Sequence, residues 1–331
     1  MTNQDWNAQQ LLQTSSSYWQ GFTLQAAVKL DVFSAIGDGG LSANEIADRI
    51  HVDERALAML LDALCAMALL IKNAGRYSNT AASTTFLIRS ASKYLGHMLM
   101  HHHHLAESWL KLDQAVISGE PVRDRASFSD DQWRESFLMG MFNMAKHTAP
   151  PVAEAIDLAG CRRLLDLGGG PGTYAVFFCL KNPGLSATVF DLPTTRPFSE
   201  SVFDQFGLAD RISFSEGNYL TEDIDGSYDV IWMSHILHGE GPEDCEKIIR
   251  KAVAALQPGG KILVHDFILD NTMDGPLFPA LFALNMLLGT ASGQSYSEGQ
   301  IRKMLARAGV VNIERIAMRL PNDSGIITGT V

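Results

Sequence analysis

The sequence predicts an α/β Rossmann-like domain preceded by an all-α domain with a winged-helix pattern. Before about residue 150, apolar residues recur mainly at the three- and four-residue spacing of helices. After residue 160, short apolar and β-branched runs alternate with helical segments, which is typical of right-handed β-α-β crossovers and a parallel sheet. A chain of 331 residues has room for two domains, and we expect them at residues 1–150 and 151–331, with the "TAPP" stretch breaking the chain near residue 150.

Composition excludes several classes of protein. With 46% hydrophobic and 19% charged residues and no apolar run near the ~20 needed to cross a bilayer, the chain reads as a soluble protein without a membrane span. The N-terminus "MTNQDWNAQQ" lacks a secretory signal, so we expect a cytoplasmic location. The four cysteines have no C-x-x-C spacing, which indicates buried thiols. A formal net charge of −11 disfavours nucleic acid as a partner.

The first part of the chain carries the winged-helix pattern. In "LSANEIADRI" a helix is expected to begin after a Ser42 cap with Glu45 three residues on, and "AGRY" predicts the tight turn of a small β-wing. A DNA-binding helix would have to lie in "DERALAMLLDALCAMALL", which holds one Arg and three acidic residues beside a wide apolar surface. Packing or dimerisation is therefore favoured, and a DNA-binding regulator with a sensing domain stays as an alternative.

Further helices are expected between residues 94 and 149, one of them containing His101–His104. Consecutive residues point in different directions around a helix, so at most two of these imidazoles can share a metal ion. Beyond residue 160 the predicted strands are "RRLLDLG", "SATVFDL", "ISFSEGN", "YDVIWMSH" and "GGKILVHDFIL", with the helix "PEDCEKIIRKAVAAL" before the last of them. Ligands of such sheets bind at the carboxyl ends of the strands.

The stretch "LLDLGGGPGT" (residues 164–173) forms a glycine loop after the first of these strands. Gly170 to Ala175 satisfy the dinucleotide pattern G-x-G-x-x-A, and Asp191 ends the next strand, where a ribose-binding acid is expected. However, Pro171 lacks a backbone N–H and Asp166 places a carboxylate before the loop, and both oppose a pyrophosphate. The prediction is a cationic, phosphate-free cofactor, S-adenosylmethionine, with contacts at Asp166, Gly168, Gly170, Gly172 and Asp191.

Nearly the whole chain resembles the small-molecule methyltransferases of the plant caffeate and isoflavone O-methyltransferase type, including their bacterial natural-product relatives. The resemblance rests on the order and spacing of "LSANEIADRI", "LLDALCAMALL", "GRYSNT", "AVISGEP", "LDLGGGPGT", "FDLP", "EGNY", "ILHGEGPEDC", "PGGKILVHD" and "SGQSYSEGQIRKMLARAGV". It implies a class I methyltransferase domain that binds S-adenosylmethionine. It also implies an N-terminal winged-helix domain that forms a homodimer and helps to close the acceptor pocket for a small molecule.

The resemblance also assigns the catalytic residues. His238 in "ILHGE" matches the general base that takes the acceptor's hydroxyl proton, a role that suits imidazole because it titrates near neutral pH. Asp266 in "LVHDF" matches an acid that orients this base and is one methylene shorter than the usual Glu. The chain departs from the family pattern at Ser295, where a second acid is usual, and at Gly239 and Glu240, where Asp and Trp are usual.

Further binding residues follow from the same resemblance. Asn218 replaces an Asp that contacts adenine and still accepts a hydrogen bond. The remaining predicted cofactor contacts are Leu192, Tyr219 and Ser234. Predicted acceptor contacts lie on two helical segments, at Phe137 and Met141 in "FLMGM" and at Asn285 and Met286 in "LFALNMLLG". A buried helix face is the alternative interpretation of these acceptor positions.

Two alternatives remain within the enzyme class. The departures around the base also fit methylation of sulfur, nitrogen or carbon, where removal of a proton matters less. The second alternative is a metal variant, since two His and one carboxylate can hold iron at adjacent strand ends, and the candidate ligands are His235, His238, His265 and Asp266. The prediction is nonetheless that the site holds no metal.

Overall fold

The computed structural model describes residues 6–125 and 131–331, which form two compact units, Met1–Leu105 and Ala106–Val331. The division lies earlier than the predicted one at residue 150. The physical reason is a long helix, Asp131–Ala155, whose Phe142, Val152 and Ala153 are buried in the same apolar core as the sheet of the second unit.

The first unit is a helical domain with a small antiparallel sheet. Ser42 and Glu45 form the expected capping box at the start of the fourth helix, and the residues Ala74 and Gly75, both at positive φ, form the turn of the wing. The helices are α1 (Ala8–Ser16), α2 (Tyr18–Lys29), α3 (Val32–Ile36), α4 (Ala43–Ile50), α5 (Glu54–Ala66), α6 (Ala81–Phe86) and α7 (Gly96–Trp109), whose last residues, from Ala106, belong to the second unit. The strands are β1 (Leu41–Ser42), β2 (Leu70–Asn73) and β3 (Arg76–Asn79), in the order β1-β3-β2.

The second unit is a Rossmann-like layered domain. Its strands are β4 (Arg163–Leu167), β5 (Ser186–Asp191), β6 (Ile212–Glu216), β7 (Tyr228–Ser234), β8 (Leu256–Leu269), β9 (Tyr296–Ser297), β10 (Val311–Arg315) and β11 (Ser324–Thr330). Its helices are α8 (Leu112–Ser118), α9 (Asp131–Ala155), α10 (Thr173–Lys181), α11 (Arg196–Gln205), α12 (Pro242–Ala254), α13 (Leu277–Gly289) and α14 (Glu298–Arg307).

The large sheet has the order β10-β11-β8-β7-β4-β5-β6, and β9 pairs with β8. Across the sheet, the pairs β6–β5, β5–β4, β4–β7 and β7–β8 are all parallel, as predicted. Strands β11 and β10 add an antiparallel edge beyond β8, which was not predicted. The strand order reverses between β4 and β7. Since both strands end at the same edge of the sheet, the loops after them meet there, which is where ligands of doubly wound sheets bind.

The predicted break at "TAPP" is wrong, because α9 continues through Pro150 and Pro151 to Ala155. Each proline removes a helical N–H donor. The helix persists because its apolar face, including Ala149, Val152 and Ala153, is buried in the core of the domain. Packing therefore outweighs local propensity at this point.

Within the described part of the chain, none of the helices is both long enough and apolar enough to span a lipid bilayer.

Candidate active site

The glycine loop connects β4 to α10. Gly172 has φ +72° and a side chain there would come within 2.6 Å of the Phe203 ring, so only glycine fits this turn. At Gly170 a Cβ would have no heavy atom within 4 Å, which leaves open space on that side of the loop. The loop is thus held tightly where it enters the helix and is open at its middle.

Asp166 lies beneath this loop and is 1% exposed. Ala175 donates its N–H to one carboxylate oxygen at 3.3 Å, while Oδ1 has no partner among the described residues. Burial raises the pKa of Asp166 to about 7, against the opposing effect of the Ala175 hydrogen bond. A buried acid with an unpartnered oxygen creates a preference for positive charge in a bound ligand.

Asp191 ends β5 beside the loop. Its Oδ2 accepts the Gly170 N–H at 2.8 Å, and its Oδ1 accepts from the Leu192 N–H at 2.7 Å and the Thr195 hydroxyl at 3.1 Å. Burial raises its pKa, while these hydrogen bonds act in the opposite direction. The carboxylate is therefore fixed in place, as a group that binds two vicinal hydroxyls must be.

The other predicted cofactor residues lie at neighbouring strand ends. Asn218 accepts the Leu220 N–H at 2.9 Å, so its side chain is fixed by a local turn. A Cβ on Gly168 would lie 3.4 Å from the Tyr219 ring, which puts this aromatic side chain directly beside the loop. Ser234, the last residue of β7, forms a hydrogen bond of 3.0 Å with His265.

His238 and Asp266 form a close pair. His238 lies in a short 3₁₀ turn after β7, Leu237–Gly239, and Asp266 lies in the neighbouring strand β8. The distance from His238 Nδ1 to Asp266 Oδ1 is 2.6 Å, and Asp266 Oδ2 accepts the His238 backbone N–H at 3.3 Å. Since a carboxylate can only accept, Nδ1 carries the proton in this pair, and the Nε2 lone pair is left for proton transfer.

Asp266 is an ionised carboxylate. Burial alone would raise its pKa, but the charge of His238, the hydrogen bond from His238 and the charge of His235 outweigh burial and hold the pKa well below its usual range. His235 adds a longer contact, with Nδ1 3.5 Å from Asp266 Oδ1. An ionised partner fixes the tautomer of neutral imidazole and also stabilises imidazolium once a proton has been taken.

The four candidate metal ligands do not come together as one set. Ligand atoms of His235, His238 and Asp266 all lie within 4.8 Å of one another, which is compact enough for one cation. His265 does not belong with them, because its two nitrogens pair with the hydroxyls of Ser234 and Ser324 at 3.0 and 3.2 Å. Burial lowers the pKa of His265 well below the usual value, so this side chain is a neutral core residue.

Three phenylalanine rings that were not predicted from the sequence, Phe267, Phe278 and Phe282, form a wall beside the base, here called the phenylalanine wall. The Phe282 ring meets the His238 ring edge-on at 4.7 Å, and Phe267 lies 5.9 Å from His238 in a stacked orientation. Phe278 contacts Phe267 at 4.9 Å. The signal in the sequence was the four-residue spacing of Phe278 and Phe282 together with Phe267, which directly follows Asp266. Apolar rings at this place exclude water from the base and suit a flat acceptor.

Glu240, at the position where the family has Trp, forms an ion pair that sequence reasoning also missed. Arg125 donates to both carboxylate oxygens, at 2.6 and 2.9 Å, and to the carbonyl of Gly239 at 2.6 Å. The Glu240 side chain is 3% exposed and also accepts from the Tyr219 hydroxyl at 3.2 Å. The turn that carries His238 is thereby tied to the aromatic residue beside the glycine loop.

Ser295, at the usual position of a second acid, donates its hydroxyl to the Pro279 carbonyl at 2.7 Å and is buried. It packs on α13. The described contacts of the base therefore come from a single acid, Asp266, with His235 in support.

The predicted acceptor residues lie on α9 and α13. Phe137 and Met141 are half-buried and one turn apart on α9, whereas Asn285 and Met286 are buried on α13. Asn285 is three residues beyond Phe282, so both side chains lie on the same side of α13. Arg123 donates to the Asn285 side chain at 3.3 Å.

These residues fit S-adenosylmethionine. The unpartnered buried oxygen of Asp166 favours a cation, and the open space at Gly170 admits a ligand against the loop backbone. Pro171 removes a donor that a pyrophosphate would need, and the fixed carboxylate of Asp191 is a group that could accept ribose hydroxyls. Asp166 and Asp191 place two acids around one loop, which a phosphate-bearing ligand would not tolerate well.

Comparisons with known proteins agree with this site. Residues 118–311 match the O-methyltransferase domain and residues 12–89 match the O-methyltransferase dimerisation domain. The chain is 30% identical to the 3-hydroxy-5-methyl-1-naphthoate 3-O-methyltransferase of Streptomyces sahachiroi over 96% of this chain and 94% of that one. It is 29% identical to the N,N-dimethyltransferase OxyT of Streptomyces rimosus, over 93% of each.

Among solved structures, PigF, an S-adenosyl-L-methionine-dependent methyl transferase of Serratia sp. solved with SAH, superposes with a TM-score of 0.89 at 27% identity, covering 98% of this chain and 100% of that one. The matched domains span most of the chain and include the glycine loop, His238 and Asp266. The chain therefore belongs to the O-methyltransferase family, with S-adenosylmethionine as its cofactor and small molecules as its methyl acceptors.

Proposed function

We propose that this enzyme methylates a hydroxyl group of an aromatic small molecule, with His238 as the general base. The observation that carries the proposal is the 2.6 Å contact between His238 Nδ1 and Asp266 Oδ1, because it leaves Nε2 as an acceptor. The phenylalanine wall supplies the second argument, since aromatic rings beside a base favour a flat, apolar acceptor.

Asp166, Asp191, Asn218 and Tyr219, together with the loop backbone, are the residues that would hold the cofactor. S-adenosylmethionine supplies a methyl group made electrophilic by the attached sulfonium. Tyr219 is fixed by the hydroxyl that it donates to Glu240. The chain thus contributes position and electrostatics on this side of the site.

On the acceptor side, His238 does the proton chemistry. Its Nε2 would take the hydroxyl proton while the acceptor oxygen takes the methyl group that the cofactor's sulfur gives up together with their bond, and the resulting imidazolium is stabilised by ionised Asp266. Phe267 and Phe282 pack against the imidazole and exclude water, which strengthens the interaction of Asp266 with the imidazolium.

The test is to identify the methylated atom. Purified protein, S-adenosylmethionine and a panel of phenols, aromatic amines and thiols are incubated, and products are identified by mass spectrometry and NMR. We expect methyl ethers of phenols. Methylation of amines or ring carbons with phenols untouched would contradict the proposal.

The second candidate is N-methylation, because a relative of similar identity, OxyT, is an N,N-dimethyltransferase. A neutral amine needs no proton removed before attack. His238→Gln would then leave the rate nearly unchanged, and the same panel separates the two candidates.

We also propose that the enzyme is a homodimer through its first unit. Residues 12–89 match a dimerisation domain, and none of the residues of α1 is buried against the described chain. Leu12 and Trp19 are 71% and 64% exposed. Large apolar side chains exposed together favour a protein partner.

A further inference from the structure

Arg123 lies in the segment between α8 and α9 and packs on the end of α13. The N–H groups of Val122 and Arg123 both donate to the Leu288 carbonyl, at 3.0 and 3.2 Å. The guanidinium lies flat against Gly289, where a Cβ would come within 2.4 Å of Cζ. The main chain and the glycine together fix the position of this cation.

The positive charge of Arg123 has no counter-ion among the side chains of residues 6–125 and 133–331. Within those residues its hydrogen bonds go to neutral groups: the backbone carbonyl and side-chain oxygen of Asn285, both at 3.3 Å, and the carbonyl of Asp124 at 3.2 Å. Its Nε is buried without a partner in the described chain. Burial lowers the pKa of Arg123 to about 10, so the side chain still carries its charge at neutral pH. Arg123 is half-buried, and a charge partly withdrawn from water without a counter-ion is unfavourable, which indicates a role for it.

Two other arginines show what Arg123 lacks. Arg125, two residues further, is fully paired with the carboxylate of Glu240. Arg211 makes short bonds of 2.6–2.8 Å from Nη2 to the carbonyls of Cys179, Asn182 and Leu185, as a cation that only caps a helix end does. The bonds of Arg123 are longer and leave N–H donors unused, so capping of α13 does not account for it.

A series of contacts along α13 connects Arg123 to the base. Its partner Asn285 is three residues, or about 4.5 Å along the helix axis, from Phe282, whose ring contacts His238 at 4.7 Å. Arg125, on the same short segment, donates to Gly239, the residue after His238. An aromatic acceptor with its hydroxyl at His238 and its ring against Phe282 would extend towards Asn285 and Arg123.

We propose that Arg123 is the counter-ion of an anionic acceptor, and that the substrate is a hydroxylated aromatic compound carrying a carboxylate. A carboxylate would neutralise this half-buried charge and accept hydrogen bonds from guanidinium N–H groups that have no partner in the described chain. The inference rests on the proposed O-methylation, because the same site must receive the hydroxyl at His238.

The test measures binding of matched ligand pairs to the full-length protein saturated with S-adenosylhomocysteine. The probes are a hydroxybenzoate with phenol, and a hydroxynaphthoate with the corresponding naphthol, titrated by calorimetry. We expect each carboxylate to bind roughly 10- to 100-fold more tightly than its neutral partner, as for a desolvated charge-assisted pair. In Arg123→Met this preference disappears, and in Arg123→Lys it is reduced but retained.

Arg319→Met is the matched control, since Arg319 is exposed and its removal also takes away one positive charge. It should keep the full preference. Equal binding of the two members of each pair, no binding of any probe, or an unchanged preference in Arg123→Met would each overturn the inference.

Turnover separates this inference from the proposed function. If the wild type methylates naphthol through His238 but shows no carboxylate preference, the role of Arg123 is wrong and O-methylation stands. If carboxylates bind preferentially through Arg123 and no hydroxyl is methylated, the anion site stands and O-methylation is wrong.

Discussion

His238 and Asp266 were predicted from the resemblance to the methyltransferase family, and their positions at the carboxyl ends of neighbouring parallel strands agree with it, because such ends meet at one edge of a sheet. Their pairing is a tertiary distance of 2.6 Å that no local pattern contains. Phe282 was missed for a similar reason, since an apolar residue on a helix gives no sign of which side chain it will meet. The sequence does not show that Arg123 lacks a counter-ion in the described chain, because this depends on which residues surround the guanidinium in the fold.

Asp166 gives the first prediction, which concerns pH. Its folded-state pKa of about 7 lies above the roughly 3.9 of an unfolded Asp, so the folded protein binds more protons between these values. Without cofactor, the stability from this group is fully present below about pH 4 and is lost as the pH rises to 7. Asp166→Asn should therefore unfold at a temperature a few degrees above the wild type at pH 8, with little difference at pH 4.

Differential scanning fluorimetry of both proteins from pH 4 to 8 checks this, and calorimetry with S-adenosylhomocysteine follows the functional cost. We expect Asp166→Asn to bind the ligand more weakly, because the charge that attracts its ammonium group is gone. The control is Asp229→Asn, which also removes one carboxylate. Asp229 accepts hydrogen bonds from the backbone N–H groups of Arg162 and Arg163. If the difference in unfolding temperature between Asp166→Asn and the wild type does not grow as the pH rises from 4 to 7, the raised pKa of Asp166 is contradicted.

At the scale of elements, the sequence predicted the strands from β4 to β8 because short β-branched runs that alternate with helices are typical of buried parallel strands. The break near residue 150 was wrong because proline propensity is local, whereas burial of α9 in the domain core is not. The antiparallel edge of β10 and β11 was missed because exposed edge strands such as Val311–Arg315 carry little apolar periodicity.

The link between the segment before α9 and the turn after β7 gives the second prediction. Arg125 and Glu240 form a bidentate ion pair, in which the Glu240 side chain is 3% exposed and the Arg125 side chain 30% exposed. In a double-mutant cycle with Arg125→Met and Glu240→Gln, we expect a coupling of about 2–3 kcal/mol in urea unfolding, below the range for a fully buried pair. Each single variant should also raise the KM for S-adenosylmethionine, since the Arg125–Glu240 pair that holds the hydrogen-bond partner of Tyr219 in place is broken in both.

Lys247 and Asp244 provide the control cycle on α12, because both side chains of this pair are largely exposed. Lys247→Met and Asp244→Asn should couple by less than about 1 kcal/mol. Similar coupling energies in the two cycles would mean that the Arg125–Glu240 pair does not stabilise the site.

At the scale of the whole molecule, the dimer is the third prediction. Since α1 buries none of its residues against the described chain and Trp19 on the neighbouring α2 is 64% exposed, we expect the apolar side chains of both helices to pack against a surface from outside. Trp19→Glu should shift the protein from dimer to monomer in sedimentation equilibrium, because it places a charge in the proposed interface. Ile71→Glu, at an exposed apolar position on β2, should not. A wild-type monomer at tens of micromolar would contradict the homodimer.

The order of the motifs predicted both domains and the cofactor, since these depend on chain order and strand periodicity. The acceptor was not predictable to the same depth. Its pocket depends on where α9, α13 and the segment with Arg123 meet, and on the replacement of usual family residues at Gly239, Glu240 and Ser295. Side chains from distant parts of the sequence define that space.

The most direct test of the central claim is the single-turnover rate of methyl transfer to a phenolic acceptor in wild type, His238→Gln and Asp266→Asn. We predict a rate loss of about 10²–10⁴-fold in His238→Gln and a smaller loss in Asp266→Asn, with binding of S-adenosylhomocysteine unchanged. A His238→Gln rate within threefold of the wild type, at about the same acceptor saturation, would contradict a general base at this position.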